Sequence, residues 1–273
     1  MSAPEHLRLR FGRICAEELS RFSKIDDGIG TYSEKRLHVA LKRFISDDPD
    51  CYEKKIIAED DGTPVQADGK KRGRRSCIAD VLYGDTVYEI QTASLYPLKS
   101  KLEFLLNRTN HPVVIVHPLI AVKWVSWIDP ASGEVSKRHR SPKKESILSM
   151  ARDLYAIKSF LGHERLRLLL PVIEAEEYRM LDGWGNGGKR GSSRFERYPI
   201  SLIDIVELSS SDDYIEAFLP EHIPVSFTAS EYARAMKIRG MAPYSLLSVL
   251  CELGAVRKGD KVGRSFIYHK SNK

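Results

Sequence analysis

The stretch SCIADVLYGDTVYEIQT, Ser76–Thr92, decides how this chain of 273 residues is read. Two runs rich in β-branched and aromatic residues, Ser76–Tyr83 and Thr86–Thr92, are separated only by Gly84-Asp85. A Gly-first two-residue connection favours a type II′ hairpin. That turn sets Tyr83 opposite Thr86 and Leu82 opposite Val87, and therefore Asp80 opposite Glu89, with Cβ atoms about 5 Å apart on one face. Ile78, Leu82 and Val87 are expected to share that face, which makes it at least partly buried. Two like charges facing each other across a ladder are destabilising, and burial aggravates the repulsion. A divalent cation between the carboxylates offsets it, and hard oxygen ligands suit Mg²⁺, with Mn²⁺ as a substitute. The bland alternative is an edge hairpin whose carboxylates are solvated, or a Lys or Arg reaching over them.

Upstream of the hairpin, Leu7, Ile14, Leu19 and Phe22 fall at helical spacing over 5–22, and Leu37, Ala40, Leu41, Phe44 and Ile45 stripe a second helix over 33–46. Residues 52–58 read as a short strand and 60–75 as a charged, Gly-rich loop. Downstream, Ser94 and Pro97 open a helix carrying Leu98, Leu102, Leu105 and Leu106, and PVVIVHPLIAVKWVSWI (112–128) reads as one or two buried strands. Residues 144–161 pattern as a helix and 166–173 as a strand, while GWGNGGKRGSS (183–193) has no hydrophobic period and neither phosphate-loop spacing. Helices alternating with strands make the body α/β.

Asp80, eight intervening residues, then Glu89-Ile90-Gln91 resembles the PD-(D/E)XK nuclease motif, with Gln91 in the lysine position and Ala79 where a proline often stands. Some type II restriction endonucleases similarly carry glutamine there. The resemblance covers about residues 30–128 and implies a restriction-endonuclease-like mixed sheet core flanked by helices. It implies Asp80, Glu89 and the main-chain carbonyl of Ile90 as metal ligands and Gln91 as positioner of the attacking water. It also implies Glu34, from the preceding helix, as a fourth catalytic residue. Thr31 and Glu34 equally form a T-x-x-E capping box, which would account for Glu34 without catalysis. His38, one turn on, faces either the same site or the helix surface.

The charge distribution bears on the partner. The chain has 43 Lys+Arg and 37 Asp+Glu, a net +6. Glu231–Lys273 alone holds nine basic and three acidic residues, so the excess lies entirely there and the first 230 residues are neutral. In that region a helix from Phe227-Thr228 through Met236, a helix over 243–253, the Gly254 cap and the strand–turn–strand VRKGDKVGRSFIYH follow the order of a winged helix, with 243–253 in the recognition position. The expected division is a nuclease-like domain over 1–210 and a winged-helix domain over 211–273. Arg257, Lys258, Lys261 and Arg264 of the wing, and Lys99 and Lys101 beside the carboxylates, are the candidate nucleic-acid contacts. The basic runs GKKRGRR (69–75) and KRHRSPKK (137–144) add to a preference for a phosphate backbone as partner, DNA ahead of RNA.

Other chemistries find little support. Four scattered cysteines (Cys15, Cys51, Cys77, Cys251) form no CxxC pair, and eight histidines form no HExxH. No apolar run reaches the ~18 residues of a membrane span, and no signal-peptide core is seen, so a cytoplasmic protein is expected. Cys77 is read as a small buried hydrophobe, Trp124 and Trp127 as packing, and Trp184 as the one aromatic to consider for base stacking. The leading expectation is a metal-dependent DNA endonuclease, a homodimer if it cuts both strands. The rivals are a catalytically inactive nuclease-like DNA-binding regulator or assembly module, and a protein–protein adaptor.

Overall fold

The computed structural model describes residues 3–20, 35–58, 76–183 and 191–271. Two helices, α1 (Glu5–Ser20) and α2 (Arg36–Ile45), precede strand β1 (Tyr52–Ile57) and the hairpin of β2 (Ser76–Tyr83) and β3 (Thr86–Ile90). Gly84 turns the hairpin at φ +62°, and the register is Tyr83↔Thr86, Leu82↔Val87, Val81↔Tyr88. A 3-10 turn at Tyr96–Leu98 leads into α3 (Lys99–Arg108), followed by β4 (Val113–Val116), β5 (Leu119–Ile128), the two-residue β6 (His139–Arg140), α4 (Ala151–Ala156), β7 (Leu166–Met180) and β8 (Ser193–Leu208). The C-terminal part holds α5 (Ser211–Phe218), β9 (Ser226–Thr228), α6 (Ala229–Ala235), α7 (Ala242–Glu252), β10 (Val256–Val262) and β11 (Ser265–Lys270).

Strands β1 to β8 form one mixed sheet in the order β1-β2-β3-β4-β7-β5-β6, with β8 on the other side of β7. The β1–β2–β3 meander is antiparallel, whereas β3–β4, β4–β7 and β5–β7 pair in parallel. β4 and β5 lie end to end along one edge of β7, the first against Leu166–Leu169 and the second against Val172–Met180. His117-Pro118 makes the step between them. Every residue of β4, VVIV, is buried, as a parallel strand covered on both faces requires. One face carries α1 and α2 over Val81, Ile90, Val114, Val116 and Ile173. The other carries α3, α4 and the C-terminal helices over Val87, Val113, Ile115, Leu168 and Leu170. The chain is thus a mixed α/β protein whose sheet is flanked by helices.

Several expectations change. α1 buries Phe11, Ile14, Cys15 and Glu18, an i, i+3, i+4, i+7 stripe, while Leu19 is 48% exposed. Glu18 is tolerated there because Arg43 (3.0 Å) and Arg36 (3.4 Å) hold its carboxylate. The stretch 144–161 is not one helix. A Ser146–Ser149 capping box closes a 3-10 turn at Ile147–Met150, α4 runs for six residues, and a second 3-10 turn follows at Lys158–Phe160. β7 continues seven residues past the expected end and pairs throughout with β8, which the sequence reading omits. A short β9 adds to the C-terminal hairpin, pairing with β11. Among the described residues no helix is long and apolar enough to cross a membrane.

Candidate functional site

β2 and β3 are paired from Tyr83–Thr86 to Val81–Tyr88. Beyond that pair Asp80 Oδ2 accepts the Ile90 N–H at 2.7 Å, a side chain taking a main-chain donor that the β2–β3 ladder leaves free. β3 stays with β4, its continuation Gln91 donating N–H to the Val116 carbonyl at 2.9 Å. The two carboxylates therefore sit at the mouth where the antiparallel pair ends and the parallel pair continues, at the carboxyl end of β3. This is the end of an α/β sheet at which ligand sites gather.

The two acids are not equivalent. Glu89 is 1% exposed, and Val87 shares its burial, but Ile78 is 56% exposed and Leu82 only half-buried. The face expected to be at least partly buried is closed on the β3 side and open on the β2 side. Lys101 Nζ, reaching from the first turn of α3, meets Glu89 Oε2 at 2.5 Å. Glu89 Oε1 is buried without a hydrogen-bond partner, a condition that costs about 1–3 kcal/mol. Burial lifts the Glu89 carboxyl to about 7; Lys101 opposes the lift and the nearby Asp80 charge adds to it. Burial acts upward on Asp80 as well, but hydrogen bonds from His38 and the Ile90 N–H outweigh it, and Asp80 falls below its ordinary value. The environment splits two like groups into an ionised acid and one poised near neutrality.

His38, on α2, places Nε2 3.1 Å from the Ile90 carbonyl oxygen and 3.6 Å from Asp80 Oδ2. Of its two readings, the one facing the site holds. Asp80 Oδ1, Glu89 Oε1 and the Ile90 carbonyl are all hard oxygen donors, and among the described residues Asp80 Oδ1 accepts no hydrogen bond. No group of three or more His, Cys, Asp or Glu residues is gathered as a metal site among the described residues. Two carboxylates and a carbonyl nevertheless fit Mg²⁺, which keeps several of its waters and commonly takes one or two carboxylates. The orphaned Glu89 oxygen is the observation that favours that fit.

The remaining candidates are dispersed. The Gln91 side chain, half-buried beyond Ile90, makes no hydrogen bond among the described residues. Thr31 and Glu34 lie outside the described residues, as do GKKRGRR and Trp184; α2 itself starts at Arg36, with Lys35 at its N-cap and no side-chain cap bond. Lys99 is exposed at the start of α3, whereas Lys101 is held by Glu89. Cys77 is buried, 4% exposed, as the sequence suggests. Trp124 and Trp127 do more than pack: Trp124 Nε1 donates to Glu174 at 2.6 Å and Arg138 stacks 4.5 Å over the Trp124 ring. Arg138 belongs to the basic run KRHRSPKK, so part of that run is tied to the sheet. Far from the carboxylates in sequence, Arg257, Lys258, Lys261 and Arg264 are all exposed, and the described structure gives none of them an acidic partner. Lys258 and Lys261 stand 3.6 and 5.0 Å over the Phe266 ring. α7 carries no Lys or Arg and packs along α4, with Lys158 bonded to Ser248 Oγ and paired with Glu252, each at 3.1 Å.

The sequence reading misses the Lys101–Glu89 pair, although a reaching Lys is among its bland alternatives. It also misses His117, whose one signal is a His-Pro dipeptide interrupting the apolar run 112–128. A family described as a domain of unknown function (DUF8091) matches residues 69–209, just over half of the chain. An uncharacterized protein of Treponema pallidum (strain Nichols) is 26% identical over 248 residues, covering 89% of this chain and 87% of that protein. No solved structure matches. The matched span holds β2 to β8, and with them both hairpin carboxylates and Lys101.

Proposed function

The chain belongs to the DUF8091 family, and from that premise we propose that it is a divalent-cation-dependent DNA phosphodiesterase, a restriction-endonuclease-like core with a C-terminal winged helix. The observation that carries this reading is the buried, partnerless Glu89 Oε1 beside Asp80 and the Ile90 carbonyl. An acid this buried is costly unless an electropositive group completes its surroundings. A divalent cation held there would polarise the scissile phosphate and lower the pKa of an attacking water.

The chain's own residues do the rest. Asp80, kept ionised by His38 and the Ile90 N–H, is the permanent anion of the pair. His38 fixes the Ile90 carbonyl, and with it the direction of a main-chain ligand. Gln91 orients water at the mouth of the site. It brings no positive charge, and Lys101 supplies it: its ammonium is within reach of any phosphate laid across the carboxylates, 16% exposed on a flexible stem. The exposed wing cations, with Lys99, hold the flanking backbone, since phosphate contacts need charge rather than shape.

The test is nicking and linearisation of supercoiled plasmid with Mg²⁺ or Mn²⁺, comparing wild type with Asp80→Asn. Asparagine retains an acceptor for the Ile90 N–H, so the fold is preserved. Cleavage is expected to fall by about 10²-fold or more while salt-sensitive DNA binding stays within about twofold. Wild-type cleavage by Asp80→Asn would sink the reading. A second reading, a DNA-binding regulator on an inactive scaffold, is favoured by Lys101 already acting as counter-ion to Glu89. It predicts no Asp80-dependent thermal stabilisation by Mg²⁺.

A further inference from the structure

Where β4 gives way to β5, a cleft of about 270 Å³ opens. Its wall begins at Thr92, the residue after Gln91, and it is lined by His117, Lys143, Arg194 and Arg197 together with Glu145 and Asp153. The two acids already serve the backbone: Glu145 accepts the Ile120 N–H at 3.1 Å and Asp153 the Leu95 N–H at 2.8 Å. The cations are less committed. Among the described residues Lys143 and Arg194 have no acidic partner and are exposed. Arg197 donates through Nη2 to Glu177 at 2.7 Å, but its Nε is buried without an acceptor. His117, 9% exposed, has a buried Nδ1 without a partner, while its ring is hydrogen-bonded to the Gln91 main chain.

Unsatisfied buried polar atoms are uncommon in folded proteins, and each calls for a missing partner. Here Arg197, whose Nε lacks an acceptor, lines the cleft alongside Lys143 and Arg194, which have no acidic partner among the described residues. The missing partner must accept several hydrogen bonds and carry negative charge, which describes a tetrahedral oxyanion better than water. We propose that this cleft is a phosphate-binding site, with Arg197 and Arg194 as guanidinium donors and Lys143 as a neighbouring charge. The site is distinct from the Asp80–Glu89 pair and holds whether or not that pair cleaves DNA. Two sources share this chemistry: the terminal phosphate of a nucleic-acid strand and free inorganic phosphate.

The test is calorimetric titration at fixed ionic strength with inorganic phosphate, a 5′-phosphorylated dinucleotide, and the same dinucleotide without its 5′-phosphate. Wild type is expected to bind a phosphate-bearing probe saturably. The double variant Lys143→Gln, Arg194→Gln, which alters exposed side chains without ion partners, is expected to bind it about tenfold or more weakly. Tighter binding of the phosphorylated dinucleotide than of inorganic phosphate assigns the site to a strand end, and equal binding assigns it to free phosphate. Absence of saturable binding by both phosphate-bearing probes, equal binding of the two dinucleotides without binding of inorganic phosphate, or undiminished affinity in the double variant overturns the proposal.

Discussion

Glu89 concentrates the energetic conflict of the site in a single side chain. Its carboxyl is lifted to about 7 by burial against an ordinary 4.5, so the folded protein holds a proton that the unfolded chain releases. Between those two values the native state binds more protons, and stability therefore falls as pH rises, by up to about 1.4 kcal/mol per pH unit. Above about 7 the loss is complete. Glu89→Gln removes the titration and keeps the shape. Without added metal, the variant should match wild type in thermal stability near pH 4.5 and exceed it at pH 8, by a margin that Mg²⁺ reduces. A margin independent of pH would mean that Glu89 is ionised throughout. The nearness of Asp80 to Glu89 is legible in the sequence, because a two-residue turn fixes the register, although the ladder ends at Val81–Tyr88, one step short of them. Lys101 as the partner of Glu89 is not, because it depends on how α3 settles against β3.

At the scale of elements, the β7–β8 ribbon shows what a sequence pattern conceals. The expected strand stops at Ile173, where the apolar run gives way to EAEEYR, yet β7 runs on to Met180 and buries Glu177. Apart from Arg179 of β7 itself, its acids are matched from neighbouring strands: Trp124 and Ser201 hydrogen-bond Glu174, Ser126 bonds Glu176, and Lys123 and Arg197 join Arg179 around Glu177. Partners this distant in sequence leave no periodic trace, and Pro199 further disguises β8. The hairpin and β4, by contrast, are legible because turn chemistry and an unbroken apolar run are local signals. Burial acts upward on Glu177, but Arg197, then Lys123 and Arg179, bring it down to about 2 from 4.5. A lowered carboxyl gives stability that is fully present above about 4.5 and is lost as pH falls towards 2, up to about 3 kcal/mol in all. Acid titration followed by circular dichroism should show a loss in this window. Glu177→Gln should be less stable than wild type at neutral pH, with a difference that narrows towards pH 2.

Across the whole molecule, one hydrophobic core joins the sheet to the C-terminal segment. Leu154, Ile157 and Leu161 from the α4 region pack in the same cluster as Phe218, Phe227, Tyr232, Leu246, Leu247 and Leu250. The Tyr232 hydroxyl, carried by α6, donates to the Phe218 carbonyl at 2.7 Å, fastening α6 to α5. The change of charge falls near residue 231 rather than at the expected division at 210, and the packing that crosses that division couples the two sides. Unfolding should therefore be a single cooperative event rather than two. The three tryptophans, Trp124, Trp127 and Trp184, all precede residue 211, so indole fluorescence reports only the first part of the chain. Leu247 is fully buried on α7, and Leu247→Ala should cost about 2–5 kcal/mol. If the core is shared, the tryptophan transition moves to lower temperature together with the far-ultraviolet circular dichroism. A tryptophan transition left in place while part of the helical signal melts early would separate the C-terminal segment as an independent unit. The exposed cations of the β10–β11 hairpin would then ride on a unit free to reorient, rather than one locked at a fixed distance from Asp80 and Glu89.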